Sequence, residues 1–200
     1  MKIYFVTTNR GKVESVSSAL GEYGIKVIHI RREIEEKRSE NLEEVTADKV
    51  MKAYEISGRK PTIAIDSGFF VPSLNGFPGT FTNYALKTIG IEGILKLVEN
   101  RDRKCYFEQC LGYMDSELQE PVVFSSKVDG VISEKPQGEM RKWSWSSLHL
   151  IFKPRIGKEI CEKTLAQMER EEWERIKASI YSRENCYEKF VNWLKENRGF

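Results

Sequence analysis

The sequence predicts an α/β fold, and three observations lead there. Apolar runs rich in β-forming residues alternate with stretches of helical periodicity along all 200 residues. Hydrophobic residues make up 40% of the chain and aromatics 11%, enough to bury a real core. No stretch approaches the roughly 18 consecutive apolar residues of a membrane span. The length suits one domain or two closely packed lobes.

Lys2–Thr7 is an apolar run that reads as a first strand. Residues 11–23 follow with Val13, Val16, Ala19 and Leu20 at helical spacing. Gly24 caps that helix, and residues 25–30 form a second strand. Arg31–Asn41 is a charge run, a solvated loop or helix turn. Leu42–Ser57 is helical, with Gly58 and Pro61 as stops. Thr62–Ile65 is a short buried strand. Asp66–Thr82 holds Ser67, Gly68, Pro72, Asn75, Gly76, Pro78 and Gly79, so a long structured loop is expected there. Such loops are usually functional. Tyr84–Val98 is helical with a break at Gly90. Cys105–Met114 and residues 122–133 are paired strands, and Leu148–Phe152 is another strand. Lys163–Tyr181 and residues 185–197 close the chain as helices.

Charge narrows the function. Thirty-two basic residues face 30 acidic ones, a formal net charge of +2. That balance lacks the basic excess of a nucleic-acid binder. Met1–Lys12 has no apolar core followed by a small-residue cleavage site, so a cytoplasmic protein is expected. Cys105, Cys110, Cys161 and Cys186 are scattered without a C-x-x-C pair, which argues against zinc and for reduced thiols.

Three places could carry chemistry. Thr7-Thr8-Asn9-Arg10-Gly11-Lys12 joins the first strand to a helix N-terminus, where backbone N–H groups and the helix dipole favour an anion. An ordinary capped turn is the competing reading. Asp66 follows an apolar strand and opens the loop, where open α/β sheets bind ligands; it could ligate Mg²⁺ or orient a water, or cap a turn. Glu44, Asp48 and Lys52 are spaced four apart and share one helix face. They form either a solvated ladder or one wall of a metal–phosphate site.

Taken together these residues resemble the inosine triphosphate pyrophosphatase family, over nearly the whole chain. Thr7, Asn9 and Lys12 match its opening Thr-x-Asn-x-x-Lys. Asp66-Ser67-Gly68-Phe69-Phe70 and Leu74-Asn75-Gly76-Phe77-Pro78-Gly79 match its central signature. Thr88-Ile89-Gly90 and Glu92-Gly93-Ile94-Leu95 look like archaeal-type members.

The resemblance implies a long twisted mixed sheet flanked by helices. It implies one inosine-triphosphatase-like domain over residues 1–200, with two lobes and a central cleft, forming a homodimer. It also implies hydrolysis of non-canonical purine nucleoside triphosphates such as ITP, dITP and XTP. Water attacks the α-phosphorus and releases nucleoside monophosphate and pyrophosphate, with Mg²⁺ spreading the charge. No nucleic acid or membrane partner is expected. By the same resemblance Asp66 and Lys12 are catalytic. Thr7, Thr8, Asn9, Lys12, Lys52, Ser67, Gly68, Lys177 and Arg183 bind substrate. Asp66 and Asp48 bind metal, with Glu44 as the fallback one turn earlier.

The departures cluster. Ile65 stands where the family has an acid before the signature Asp. Ser146-Ser147-Leu148-His149-Leu150 replaces the family's Phe-Gly-Tyr-Asp-Pro, so Trp143 or Trp145 becomes the candidate base platform. Tyr181-Ser182-Arg183 keeps the Arg of the family's Ser-His-Arg and loses the His. The phosphate half is thus expected to be kept and the base half rebuilt. The alternative is a weakly active or inactive nucleotide-binding protein on the same fold.

Overall fold

A computed structural model of the chain describes residues 1–141, 144–180 and 185–200. It is a mixed α/β fold with an open eight-stranded sheet and, among the described residues, six α-helices. The strands are β1 (Lys2–Val6), β2 (Lys26–Ile30), β3 (Thr62–Phe70), β4 (Pro78–Gly79), β5 (Lys104–Met114), β6 (Val122–Ile132), β7 (Phe152–Ile156) and β8 (Glu159–Ile160). The helices are α1 (Arg10–Gly21), α2 (Leu42–Ile56), α3 (Thr82–Thr88), α4 (Gly90–Leu97), α5 (Arg170–Ile180) and α6 (Cys186–Arg198). The sheet order is β2-β1-β3-β5-β6-β7-β8, with β4 pairing on β3. β1 runs parallel to β2 and β3, whereas β3–β4, β6–β7 and β7–β8 are antiparallel. No described helix is long and apolar enough to cross a membrane.

The chain divides into two compact units. The first comprises residues 1–67, 109–126 and 183–200. Side chains alternate along a strand, so β3 presents its residues to opposite faces. Ile63 and Ile65 pack with Ile3 and Phe5 of β1, Val16 and Leu20 of α1, and Phe190 and Leu194 of α6. Ala64 instead packs with Val50 and Tyr54 of α2. Asp66, two residues on, shares the α2 face. Gly112 of β5 lets α2 come close: a Cβ there would sit 3.0 Å from Val50 and 3.2 Å from Thr46.

The second unit comprises residues 68–108 and 127–182. Its core gathers Phe69, Phe107, Ile132, Leu148 and Phe152 around edge-on aromatic contacts. Gly68 is required by the packing of β4 on β3. A Cβ at residue 68 would meet the Phe70 ring at 2.6 Å and the Gly79 carbonyl at 2.9 Å. Residues 72–74 form a 3₁₀ turn that ends on Asn75 and Gly76, both at positive φ. The Phe77–Pro78 bond is cis.

Three expected elements differ. The strand expected at Thr62–Ile65 runs on to Phe70, so Asp66 lies within the strand and not at its end. Its last two residues, Phe69 and Phe70, pair with Gly79 and Pro78 of β4, and β5 flanks it in the sheet. Residues 147–150 form a 3₁₀ turn, and the strand begins at Phe152. The Ser146 hydroxyl caps that turn by accepting from the Leu148 N–H at 3.3 Å. The helix expected from Lys163 begins at Arg170; before it, residues 165–167 form a 3₁₀ turn boxed by Thr164 and Gln167.

Candidate active site

The candidate site lies in the first unit, where the α1 N-terminus and α2 approach β3. Asn9 caps α1: its Oδ1 accepts the Lys12 backbone N–H at 3.1 Å, while its own N–H donates to Thr7 Oγ1 at 3.1 Å. The capped turn and the anion cradle thus use the same residues. No acidic side chain stands in the first turn of α1, so nothing there opposes an anion at the dipole's positive end. Thr8 and Asn9 are exposed.

The cap sends Lys12 back toward β3. Its Nζ donates to the Ile65 carbonyl at 3.3 Å and lies 3.9 Å from Asp66 Oδ1. Asp66 Oδ1 also accepts the Ser67 N–H at 2.8 Å. The other oxygen, Oδ2, takes the Lys49 ammonium at 3.3 Å. Asp66 is therefore a buried carboxylate held between two ammonium groups. Burial pushes the Lys12 ammonium down from its usual range despite the opposing pull of Asp66. Burial also works against the charge on Lys49, but Asp66 and Glu36 outweigh it and raise that group above the usual lysine range.

Lys49 is the residue that sequence reasoning missed. It sits in register with the buried positions Leu42, Val45, Thr46 and Ala53, on the apolar stripe of α2. A lysine within such a stripe needs a partner, because an unpaired charge is costly to bury. That break in the stripe was the available signal. Glu36, which also holds Lys49, lies in the charge run and carried no signal of its own.

The expected ladder on the other face of α2 is only partly formed. Asp48 Oδ2 pairs with Lys52 at 2.8 Å, and Lys52 Nζ also donates to the Glu35 carbonyl at 2.8 Å. Glu44 turns away to Lys37 at 3.3 Å and to the Ser39 hydroxyl at 3.1 Å. The hydrogen bond from Ser39, then Lys37, holds the exposed Glu44 carboxyl below its usual range.

The carboxylates of this site are paired with lysines, and Asp66 and Glu36 flank the same ammonium, Lys49 Nζ. Asp66 faces two ammonium groups within 4 Å. Asp48 is engaged by Lys52. Ile65 points to the opposite face of β3, into the core with α1 and α6, so position 65 supplies no side chain beside Asp66. Among the described residues, no group of three or more His, Cys, Asp or Glu side chains comes together.

The second unit places Trp145, 43% exposed, with its ring edge-on to Phe107 at 5.2 Å and to His149 at 5.1 Å. His149 is fully buried, and burial lowers its pKa to about 4. It is a neutral imidazole at neutral pH. Trp143 and Arg183 lie outside the described residues, as does the side chain of Lys177.

Comparison with known proteins follows the same lines. Residues 3–193 match the model of the Ham1 family. The chain is similar to the dITP/XTP pyrophosphatase of Pyrococcus horikoshii, 37% identical over 199 residues, covering 98% of each chain. It is 37% identical to the dITP/XTP pyrophosphatase of Methanopyrus kandleri over 198 residues, again with 98% of each covered. Among solved structures, a HAM1 protein from Coxiella burnetii aligns with a TM-score of 0.76 at 22% identity, covering 98% of this chain and 99% of its own. The nucleoside-triphosphatase / dITP/XTP pyrophosphatase of Mycobacterium abscessus aligns with a TM-score of 0.70 at 23% identity, covering 91% and 96%. The structural likenesses concern the fold, and the family match covers nearly all of the sequence. This chain, with its capped Thr-x-Asn-x-x-Lys turn and its lysine-flanked Asp-Ser-Gly strand, belongs to the Ham1 family.

Proposed function

We propose that the chain hydrolyses non-canonical purine nucleoside triphosphates, of the dITP and XTP kind, to the monophosphate and pyrophosphate. The observation that carries this reading is Asp66 held between Lys12 and Lys49 beside the α1 N-terminus. The activity for which the Pyrococcus horikoshii and Methanopyrus kandleri relatives are named supports the substrate class.

Lys12, Lys49 and the turn Thr7-Thr8-Asn9 grip the triphosphate. The two ammonium groups form charge-assisted bonds to phosphate oxygens. Their release from Asp66 as they turn to the phosphates leaves the carboxylate free to accept a proton. In this scheme Asp66 takes that proton from the attacking water, and the new P–O bond forms at the α-phosphorus as the bond to the pyrophosphate oxygen breaks. Lys12 offsets the charge that builds on the departing pyrophosphate. Lys52, Ser67 and Gly68 line the same strand and helix, and Lys177 and Arg183 complete the grip by the family resemblance.

Mg²⁺ belongs with the substrate in this scheme. A triphosphate carries the ion on its own oxygens, and such an ion takes only one or two carboxylates from a protein. The base rests on Trp145, whose indole is a broad stacking face. One family domain in two lobes, and a homodimer, complete the reading; a single family model spanning both compact units supports the first.

The test is the identity of the products. Incubation of dITP in heavy-oxygen water should give dIMP carrying the label and unlabelled pyrophosphate. Release of inorganic phosphate and dIDP would overturn the reading.

A further inference from the structure

Arg141, in the second unit, carries a donor that the fold does not use. The segment leading to it is fastened down. The Gln137 N–H donates to the Leu150 carbonyl at 2.8 Å, and the Gln137 carbonyl accepts the Thr164 hydroxyl at 2.9 Å. Gly138, at positive φ, lies so close to the 3₁₀ turn that a Cβ there would sit 2.5 Å from the Ala166 backbone. The Glu139 N–H reaches the Ala166 carbonyl at 3.3 Å. Arg141 thus projects from an anchored backbone.

Its guanidinium is only half committed. Nη1 donates to Glu169 Oε2 at 2.9 Å, which leaves the opposite edge, Nε and Nη2, without a carboxylate. The Nε–H is shut from water and has no partner among the described residues. Folded proteins seldom leave a covered N–H without an acceptor. The backbones of Arg141 and Ser144 are joined twice. The Ser144 N–H donates to the Arg141 carbonyl at 2.9 Å, and the Arg141 N–H donates to the Ser144 hydroxyl at 3.1 Å. Trp145 follows at once, set edge-on to Phe107 and His149. The indole assigned above to the base and the unused edge of the guanidinium therefore start from adjacent points of one turn.

A base stacked on an indole presents its edge in the plane of its own ring. Hypoxanthine and xanthine carry two acceptors side by side on that edge, O6 and N7. An arginine matches such a pair with two parallel bonds. Adenine has an amino donor at position 6, so one N–H of the fork would face another.

We infer that Arg141 reads the O6/N7 edge of a 6-oxopurine stacked on Trp145 and is the residue that rejects adenine. The inference rests on the base-platform reading above and adds base selection to it. Glu169 holds the far side of the guanidinium and so fixes the plane of the fork. The side chain is 33% exposed, and a rotamer adjustment of the kind common on binding brings the covered Nε–H to the base. Guanine shares the O6/N7 edge, so Arg141 does not separate dGTP from dITP; that choice falls to position 2 of the ring.

The experiment is pyrophosphate release by wild type, Arg141→Lys and Arg141→Met. The substrates are dITP and the triphosphate of purine 2′-deoxyriboside, which carries hydrogen at position 6. Lysine keeps the charge beside Glu169 but loses the planar fork. Wild type should prefer dITP in kcat/KM by about tenfold or more. Both variants should lose that preference through a higher KM for dITP, with the 6-hydrogen substrate unchanged. Equal losses on the two substrates would make Arg141 a prop for its segment, and an unchanged preference would remove it from the base; either result overturns the inference. If wild type still hydrolyses dITP in those cases, the proposed function stands without it. If wild type hydrolyses neither nucleotide, both fall. A second readout needs no substitution in the protein: 7-deaza-dITP, which lacks N7, should raise the wild-type KM by about threefold or more, and an equal KM would overturn the two-acceptor contact.

Discussion

The Lys49 ammonium stands 3.3 Å from the Asp66 carboxylate across the contact between α2 and β3, with both side chains nearly buried. Breaking this pair from one side leaves Asp66 with Lys12 alone, and buried charges that lose a partner are costly. Lys49→Met should lower stability by about 1–3 kcal/mol, discounted for the water that still reaches the site. Lys49→Arg should keep most of it. Urea unfolding of the three proteins checks this, and an unchanged midpoint for Lys49→Met would show that the pair holds nothing together.

Asp66 and Lys12 could be read from the sequence because a strand, a cap and a glycine leave a linear pattern. Lys49 and Glu36 could not be assigned from their own neighbours. Lys49 gains its role from β3, 17 residues away, and Glu36 gains its role from Lys49. The same limit explains β3 itself. Gly68 reads as loop punctuation, but here it sits inside the strand and lets β4 close on Phe69 and Phe70, a tertiary pairing that its own neighbours do not announce. The break at Gly90 and the capped turn before α1 were legible because local backbone chemistry fixes them.

That account of Gly68 is testable directly. Gly68→Ala puts a methyl within 3 Å of the Phe70 ring and the Gly79 carbonyl. The flexible ring can turn but the backbone carbonyl cannot, so a loss of about 1–3 kcal/mol is expected. Thermal unfolding reads it. A midpoint equal to wild type would mean that β4 does not need the close approach.

The buried His149 makes a pH prediction. Burial lowers its pKa to about 4, against an ordinary value of 6.5 for the exposed ring in the unfolded chain. Between those values the unfolded chain binds a proton that the folded chain refuses. Stability from this group therefore falls as pH drops from about 6.5 to about 4, and is flat below. At about 1.4 kcal/mol per pH unit the loss accumulates to about 3 kcal/mol. Denaturant titrations of wild type and His149→Asn over that range should diverge by this amount. Parallel curves would show that the imidazole is protonated in the fold.

The proposed stacking role of Trp145 is tested apart from phosphate binding. Its indole is braced by the edges of Phe107 and His149 and remains 43% exposed. Stacking on one aromatic face is worth about 1–3 kcal/mol per base. Trp145→Ala should raise KM for dITP by about tenfold or more while leaving the affinity for tripolyphosphate unchanged. A parallel loss of both would make the indole a structural element only.

The central claim is tested most directly by pyrophosphate release from dITP, XTP, dGTP and dATP, with Asp66→Asn run beside wild type. The account predicts selective release from dITP and XTP by wild type. It predicts a loss of at least about a hundredfold in Asp66→Asn, the scale of a removed general base, with an unchanged circular dichroism spectrum. Equal release by the folded Asp66→Asn protein, or no release from any of the four nucleotides, would contradict it.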